Sequence, residues 1–284
     1  LGQLPSGGEL TLNRQVVEAD LLVADGFIEP HQFAGFSGGR KSILPGVAGL
    51  KSVLASHNSE FTVHPNARPG VLEGNPFHID MLHAARKAGL AFILNVALSA
   101  EKKIIAAFAG EPDAAHLTGC AHVRSLCAVP AVESPVVVAS NGGYPLDQNV
   151  YQATKSVMVA DLVCAPGGVT IAVNECRDGH GAQRFYDDFK NAPSLAALLH
   201  EIESRGRDET QPDQWVTQLV ADILSRHQVI YVTGASRELI EDLGMLHAES
   251  IEQALEMSEG ILGLKEPPLT ILPEAVTLIL EKHQ

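Results

Sequence analysis

Short apolar runs alternate with amphipathic stretches along almost the whole chain, a pattern that predicts strands interleaved with helices. Residues 19–28 (ADLLVADGFI) form an apolar run stopped by Glu29-Pro30, as in a buried strand that hands its next residues to a loop at the carboxyl edge of a sheet. In VAGLKSVLASHN, Val47, Leu50, Val53 and Leu54 share one face at helical spacing, which places His57 near a helix end. Asn75-Pro76 opens a second helix over PFHIDMLHAARKAG, with proline in the first turn and Gly89 as its stop. LAFILNVAL and KIIAAFAG read as two strands, followed by a helix over 112–126. Residues 128–135 (AVPAVESP) hold two prolines and little periodicity, the mark of a domain crossing.

Beyond that crossing come strand PVVVAS, loop NGGYPLD, a helix over 148–160, strand LVCAP, a turn at Gly167-Gly168 and strand VTIAVNE. Helices over 194–204 and 214–226, strand VIYVTG and smaller helices near Glu238 and Ile251 follow. The expected fold class is α/β, with two domains (1–127 and 136–284) built on mainly parallel sheets flanked by helices. The second reads as Rossmann-like. In 284 residues, 45% of them hydrophobic, there is material enough for two cores.

Charge narrows the partners. Twenty basic residues against 34 acidic ones give a net charge of −14, which repels phosphate backbones and anionic lipid, so neither nucleic acid nor a membrane surface is expected as a partner. Cys120, Cys127, Cys164 and Cys176 include no Cys-x-x-Cys pair, which argues against a zinc knuckle or a disulfide scaffold and points to the cytoplasm. The longest apolar run, 88–100, is too short to span a bilayer. The chain begins Leu1-Gly2-Gln3 without an initiator methionine, as a fragment or processed product would.

The chemistry concentrates in 29–58, where His31, the turn Ser37-Gly38-Gly39-Arg40-Lys41 and His57 lie ten and sixteen residues apart from histidine to lysine to histidine. Imidazole carries protons near neutrality and ligates metals, while a lysine in a constrained loop can be a nucleophile or a covalent anchor. The glycine turn, which lacks P-loop spacing, either presents N–H groups and two cations to an anion or merely redirects the chain. A second group is the Asn141–Asp147 loop with Tyr151, Gln152 and Lys155. Gln152 and Lys155, three apart on a helix, either grip a carboxylate or form a solvated face. A third, Glu175-Cys176-Arg177-Asp178-Gly179-His180-Gly181, reads mostly as structural.

The strings EPHQFAGFSGGRKSILPG, SHN, EGNPFHIDM, FILNVAL, SNGGYPLDQNVYQATK and ECRDGHG, in this order through nearly the whole chain, resemble the nickel-pincer lactate racemase family of 2-hydroxyacid racemases and epimerases. The resemblance implies a nickel-pincer nucleotide, a pyridinium bis-thiocarboxylic acid mononucleotide holding nickel through sulfur, carbon and sulfur. It makes 1–127 the cofactor-anchoring domain, with Gly38, Gly39 and Lys41 in the tether turn, Lys41 forming the thioamide, and His57 completing the nickel's plane. His31 would be one of two acid/base histidines, exchanging the hydroxyl proton while the α-hydrogen leaves as hydride. Gln152 and Lys155 would bind substrate carboxylate and carbonyl, with Tyr151 and the single tryptophan, Trp215, near the site.

A small 2-hydroxyacid and cofactor-biosynthesis proteins are the implied partners. Lactate is the family default, and a larger aliphatic, aromatic or sugar-derived hydroxyacid is equally compatible. Family members also carry an N-terminal portion with an Asp-x-Thr/Ser-Arg-type motif and the second catalytic histidine. Its expected absence here would leave 136–284 incomplete as a domain and the chain alone unable to racemise. The rival readings are a non-catalytic binder of an anionic nucleotide-like ligand and a nicotinamide-dependent dehydrogenase, for which no Gly-x-Gly-x-x-Gly turn is found.

Overall fold

The computed structural model describes residues 1–281. The chain is mixed α/β and divides into two compact units, Leu1–Ala128 with Arg205–Gln211, and Val129–Ser204 with Pro212–Gln284. Nothing in the sequence pattern marks the short return of Arg205–Gln211 to the first unit. It is held there by Arg207, which bonds the Ser6 carbonyl and, at 2.5 Å, the Glu60 carboxylate.

The first unit contains β1 (Leu22–Phe27), α1 (Leu50–Ser56), α2 (Ser59–Thr62), α3 (Pro76–Ala88), β2 (Leu90–Leu98), β3 (Ile104–Gly110) and α4 (Pro112–Cys127). Its sheet runs β1-β2-β3, the first pair parallel and the second antiparallel. Helix α4 packs on the face that carries Ile93, Asn95 and Phe108. Gly119 makes the close approach possible, since a Cβ there would lie 2.3 Å from Ile28 and 3.0 Å from the Phe108 ring. Helix α3 begins as its sequence predicts. The Asn75 side chain accepts from the Phe77 and His78 amides, proline occupies the first turn, and Gly89 ends the helix at φ 72°.

Two expectations for this unit fail. The 19–28 run was expected to be a buried strand, but β1 is largely exposed, with Val23 at 55% and Phe27 at 45%. These two side chains share the outer face with Phe92, Leu94 and Val96 of β2 and Ala107 and Ala109 of β3, opposite the face that α4 covers. Leu50, expected on the buried stripe of its helix, is 63% exposed; the small residues Ser52, Ala55 and Ser56 form the buried side of α1.

The second unit contains β4 (Ser134–Ala139), α5 (Val150–Asp161), β5 (Cys164–Val173), α6 (Gln183–Asn191), α7 (Leu195–Ser204), α8 (Gln214–Arg226), β6 (Gln228–Val232), β7 (Leu246–Ala248), α9 (Ile251–Leu262) and β8 (Leu269–Leu272). Its five strands are all parallel, in the order β7-β6-β5-β4-β8. The order reverses direction at β4, whose carboxyl end delivers the Asn141–Asp147 loop, the kind of position where open α/β sheets carry ligands.

Gly167-Gly168 does not reverse the chain as expected. The strand continues through it with a shift of register against β4, because a Cβ on Gly168 would stand 2.7 Å from Ala165 O and 2.8 Å from Pro135 O. Helix α6, which the sequence pattern does not announce, buries Phe185 and Phe189 one turn apart in a core with Val157, Ile202, Val220 and Tyr231.

Tyr231 sits fully buried on β6, and its hydroxyl finds no hydrogen-bond partner among the described residues, so burial pushes its ionisation well up. Tyr231→Phe removes an unmet polar group at almost constant shape. It should leave the protein as stable or raise its stability by up to about 1 kcal/mol. A lower melting temperature in the phenylalanine variant would show that the hydroxyl is in fact bonded.

Candidate active site

Loop 28–41 leaves β1 and turns back over the sheet edge. Ser37 closes its base: the hydroxyl accepts from the Glu29 amide at 2.9 Å and donates to Phe27 O at 3.0 Å. Pro30–His31 and Gly35–Phe36 pair as a two-residue antiparallel ladder, which sets His31 beside the short turn through Phe33. Gly38 and Gly39 then take positive φ, 75° and 51°. Their lack of side chains matters twice over. A Cβ on Gly38 would lie 2.9 Å from Asn95 Oδ1, and one on Gly39 would lie 2.7 Å from the His116 ring. Asn95, fully buried on β2, accepts the Gly39 amide at 2.8 Å. Lys41 lies in the 3-10 turn Gly39–Ser42 that follows.

His57 caps α1 and is 4% exposed. Its Nδ1 donates to Val53 O at 2.8 Å, which assigns the lone pair of the neutral ring to Nε2. Burial, helped by the Lys41 charge, lowers its pKa to about 4, so the ring is neutral at physiological pH. Asn58 fixes the next residue, donating to Ala55 O at 2.8 Å and accepting the Phe61 amide at 2.9 Å as the cap of α2. The Phe33 ring stands edge-on between the two histidines, 4.6 Å from His31 and 5.4 Å from His57, and Phe77 closes the group at 5.2 Å from His57. Asn75 ties this aromatic shoulder to α3 by donating to Phe33 O at 2.8 Å.

The structure therefore sets His31 and His57 against one Phe33 ring of the first unit, with Lys41 near enough for its charge to act on His57. His31 Nδ1 accepts the Ala34 amide at 3.2 Å, which leaves the proton of the neutral ring on Nε2. Of the two readings of the glycine turn, the one that offers both cations to an outside anion does not hold for Arg40. This residue is 3% exposed and turned inward, where its Nε, Nη1 and Nη2 meet backbone carbonyls and two imidazoles. His78 and His116, which the sequence reading passed over, are those imidazoles. His78 stands inside the string EGNPFHIDM and His116 on the helix that opens at Pro112, and neither spacing in sequence points to Arg40.

Tyr151, Gln152, Lys155 and Trp215 belong to the second unit. Asn141 anchors the start of α5: its Nδ2 donates to Leu146 O at 2.6 Å and Gln152 O at 2.7 Å, while its Oδ1 accepts the Ser156 amide at 3.0 Å. Gln152 and Lys155 occupy the half-buried face of that helix. The Tyr151 hydroxyl donates to Asp213 Oδ1 at 2.9 Å and is also hydrogen-bonded by the Trp215 indole, and burial beside Asp213 pushes its ionisation up. Asp213 takes φ 66° to make this contact at the head of α8. The 175–181 loop is joined to the start of α5: the Gly179 and His180 carbonyls accept the Val150 and Tyr151 amides at 3.0 Å each. Among the described residues no helix is long and apolar enough to cross a membrane.

The family model for the lactate racemase C-terminal domain matches residues 129–280, and that for the lactate racemase N-terminal domain matches residues 1–70. A lactate racemase of Thermoanaerobacterium thermosaccharolyticum is 50% identical over 283 residues, which take in 99% of this chain and 66% of that protein. One of Lactiplantibacillus plantarum is 44% identical over 282 residues, with the same two shares of 99% and 66%. The solved structure of the T. thermosaccharolyticum lactate racemase apoprotein matches with a TM-score of 0.96 over 99% of this chain and 67% of that one. This chain thus spans about 66% of the length of these curated relatives.

The buried imidazoles give the first unit a pH dependence of definite sign. Burial holds His57 at about 4 and, with the Arg40 charge, His116 at about 3, while in the unfolded chain both would protonate near 6.5. The stability they contribute is complete above pH 6.5 and falls as pH drops from there towards 4, by up to about 1.4 kcal/mol per pH unit for each ring. Imidazole NMR at pH 5.5 should show both rings neutral, and melting temperatures should fall below pH 6.5. Two rings titrating near 6.5 would contradict the burial described.

Proposed function

This chain belongs to the lactate racemase family, and from that premise we propose that it forms the larger part of a racemase or epimerase of a small 2-hydroxyacid, with lactate the first candidate. The observation that carries the reading is that His31 and His57 both pack edge-on against Phe33 while the Lys41 charge acts on His57. A proton carrier, an amine and a neutral nitrogen donor in one patch are the set that a tethered metal cofactor for hydroxyacid chemistry requires.

The residues fit a nickel-pincer nucleotide. A neutral imidazole whose Nδ1–H is fixed by a backbone carbonyl offers Nε2 as a well-oriented ligand, the usual second-contact arrangement at metal sites. Among the described residues no group of three or more His, Cys, Asp or Glu could hold a metal ion, so a metal bound at His57 has to bring its other ligands with it. A pincer group does so. Lys41, whose charge reaches His57, is the amine placed for the tether. When bound, the cofactor supplies a reversible acceptor for the hydride of the substrate α-carbon.

The remaining work falls to the chain itself. His31 meets a ligand with Nε2–H, the form that donates to the carbonyl oxygen of a 2-oxoacid; accepting the hydroxyl proton at that atom requires the other tautomer. Gln152 and Lys155 supply an amide and an ammonium for the carboxylate and carbonyl, with Tyr151 and Trp215 as the aromatic border. His31 and the tether turn lie in one unit, and Gln152 and Lys155 in the other. Proteins that build and load the cofactor are the implied partners. Four cysteines free of disulfides agree with a reducing cytoplasm.

Intact mass and nickel content of protein from a host that makes the cofactor test this directly. The wild type should carry a mononucleotide-sized adduct on Lys41 and about one nickel per chain. Lys41→Ala should abolish the adduct, whereas His57→Ala should keep it and lose most of the nickel. Nickel held equally well by both variants, without an adduct on the wild type, would refute the reading.

A further inference from the structure

Arg40 is a buried cation with no carboxylate beside it among the described residues. Its Nη2 donates to Ala34 O at 2.7 Å and its Nη1 to Phe36 O at 2.8 Å, with Gly38 O at 3.3 Å and Ser37 O at 3.4 Å from the same nitrogen. Nε donates to His78 Nδ1 at 3.1 Å, and Nη1 also lies 2.9 Å from His116 Nε2. A guanidinium has only hydrogens to give, so His78 Nδ1 serves it as an acceptor, and His116 Nε2, which also lies 2.9 Å from Ser37 O, touches both Arg40 and the loop as a neutral ring. Their pKa values, lowered to about 4 for His78 and about 3 for His116, agree with that, and Arg40 itself, lowered to about 10 by burial, stays charged.

An unpaired charge in a protein interior is expensive unless hydrogen bonds compensate it. Here every bond goes to the loop that bears His31 and Lys41 or to the two helices beneath it. The carbonyls of residues 34, 36, 37 and 38 point inward at one planar group, a geometry that a five-donor fork can satisfy and an ammonium cannot. The cavity against Arg40, lined also by His78, Arg86, Asp113 and His116, measures about 100 Å³. That is room for a few waters, far below the ~300 Å³ at which ligand pockets begin.

We propose that Arg40, braced by His78 on α3 and His116 on α4, is the positioning residue of the tether turn: it gathers the inward carbonyls of residues 34–38 and so fixes where the next side chain, Lys41, presents its amine. Arg40 touches no substrate and binds no anion. The proposal rests on the reading of Lys41 as the reactive amine, but the placement it describes can be measured without cofactor.

The test is competitive labelling of the folded apoprotein with acetic anhydride, reading the acetylation rate of Lys41 against Lys51, Lys87 and Lys190 in the same sample by peptide mass. In Arg40→Met the relative rate of Lys41 should move about tenfold or more towards that of the exposed lysines, while the ratios among the other three hold. Arg40→Lys should fail to rescue it, since charge without the fork cannot span four carbonyls. In a cofactor-making host both variants should show less Lys41 adduct than the wild type.

Should Arg40→Met fail to fold, His78→Leu and His116→Leu decide the matter. Each removes a brace while leaving Arg40, and each should shift the Lys41 ratio in the same direction by a smaller factor. A Lys41 ratio within twofold of wild type in the folded variants, or full rescue by Arg40→Lys, overturns the proposal. A wild-type protein without adduct would instead defeat the racemase reading and leave the labelling result standing.

Discussion

The close seating of the Gly38-Gly39 backbone against Asn95 and His116 is the constraint from which the rest of the site follows. Side chains at either position would collide with a strand residue on one side and a helix residue on the other. Because they are glycines, the loop comes down onto the sheet, the Gly39 amide finds Asn95, and the following residue can turn its guanidinium beneath the loop instead of outward. With Arg40 inside, His31 at one end of the gathered carbonyls packs on Phe33 beside His57, and Lys41 at the other end acts on His57 through its charge. Helix packing and loop chemistry are thus one problem in this unit, solved by two absent side chains and one buried charge.

Much of this was legible in the residues, and the exceptions are instructive. Periodicity with caps gave α3 from Asn75 to Gly89 and α4 from Pro112, because local signals there agree with the tertiary outcome. The grouping of His31, Lys41 and His57 could be suspected from their nearness in sequence. What joins them is Phe33, an unremarked aromatic inside a loop, and Asn75, whose side chain reaches 42 residues back to hold it. The inward direction of Arg40 was hidden for a different reason. Whether a charged residue beside two glycines faces solvent or core depends on which carbonyls and imidazoles surround it, and His116 lies 76 residues away. Helix α6 escaped because its stripe is narrow, two phenylalanines on an otherwise polar surface.

The second unit holds its half of the machinery by another device. Asn141 inserts its amide into the first turns of α5, taking the Gln152 carbonyl and the Ser156 amide, so the loop after β4 and the face bearing Gln152 and Lys155 are fixed to each other. The Trp215, Tyr151 and Asp213 chain then ties that helix to the head of α8. Donors are spent on orientation here as they are around Arg40: rigid amide and guanidinium groups hold the backbone that flexible lysines project from.

One feature of the first unit lies outside this economy. Val23, Phe27, Phe92 and Leu94 offer water a nearly continuous oily wall on a sheet whose other side is fully clad. Each such side chain, about half exposed, forgoes roughly half of the ~1.5–3 kcal/mol that full burial brings, and together they make an adhesive plane of the kind that collects detergents, hydrophobic dyes and misfolded neighbours. How this protein behaves in solution should therefore depend on what shares the tube with it as much as on the strength of its own interior.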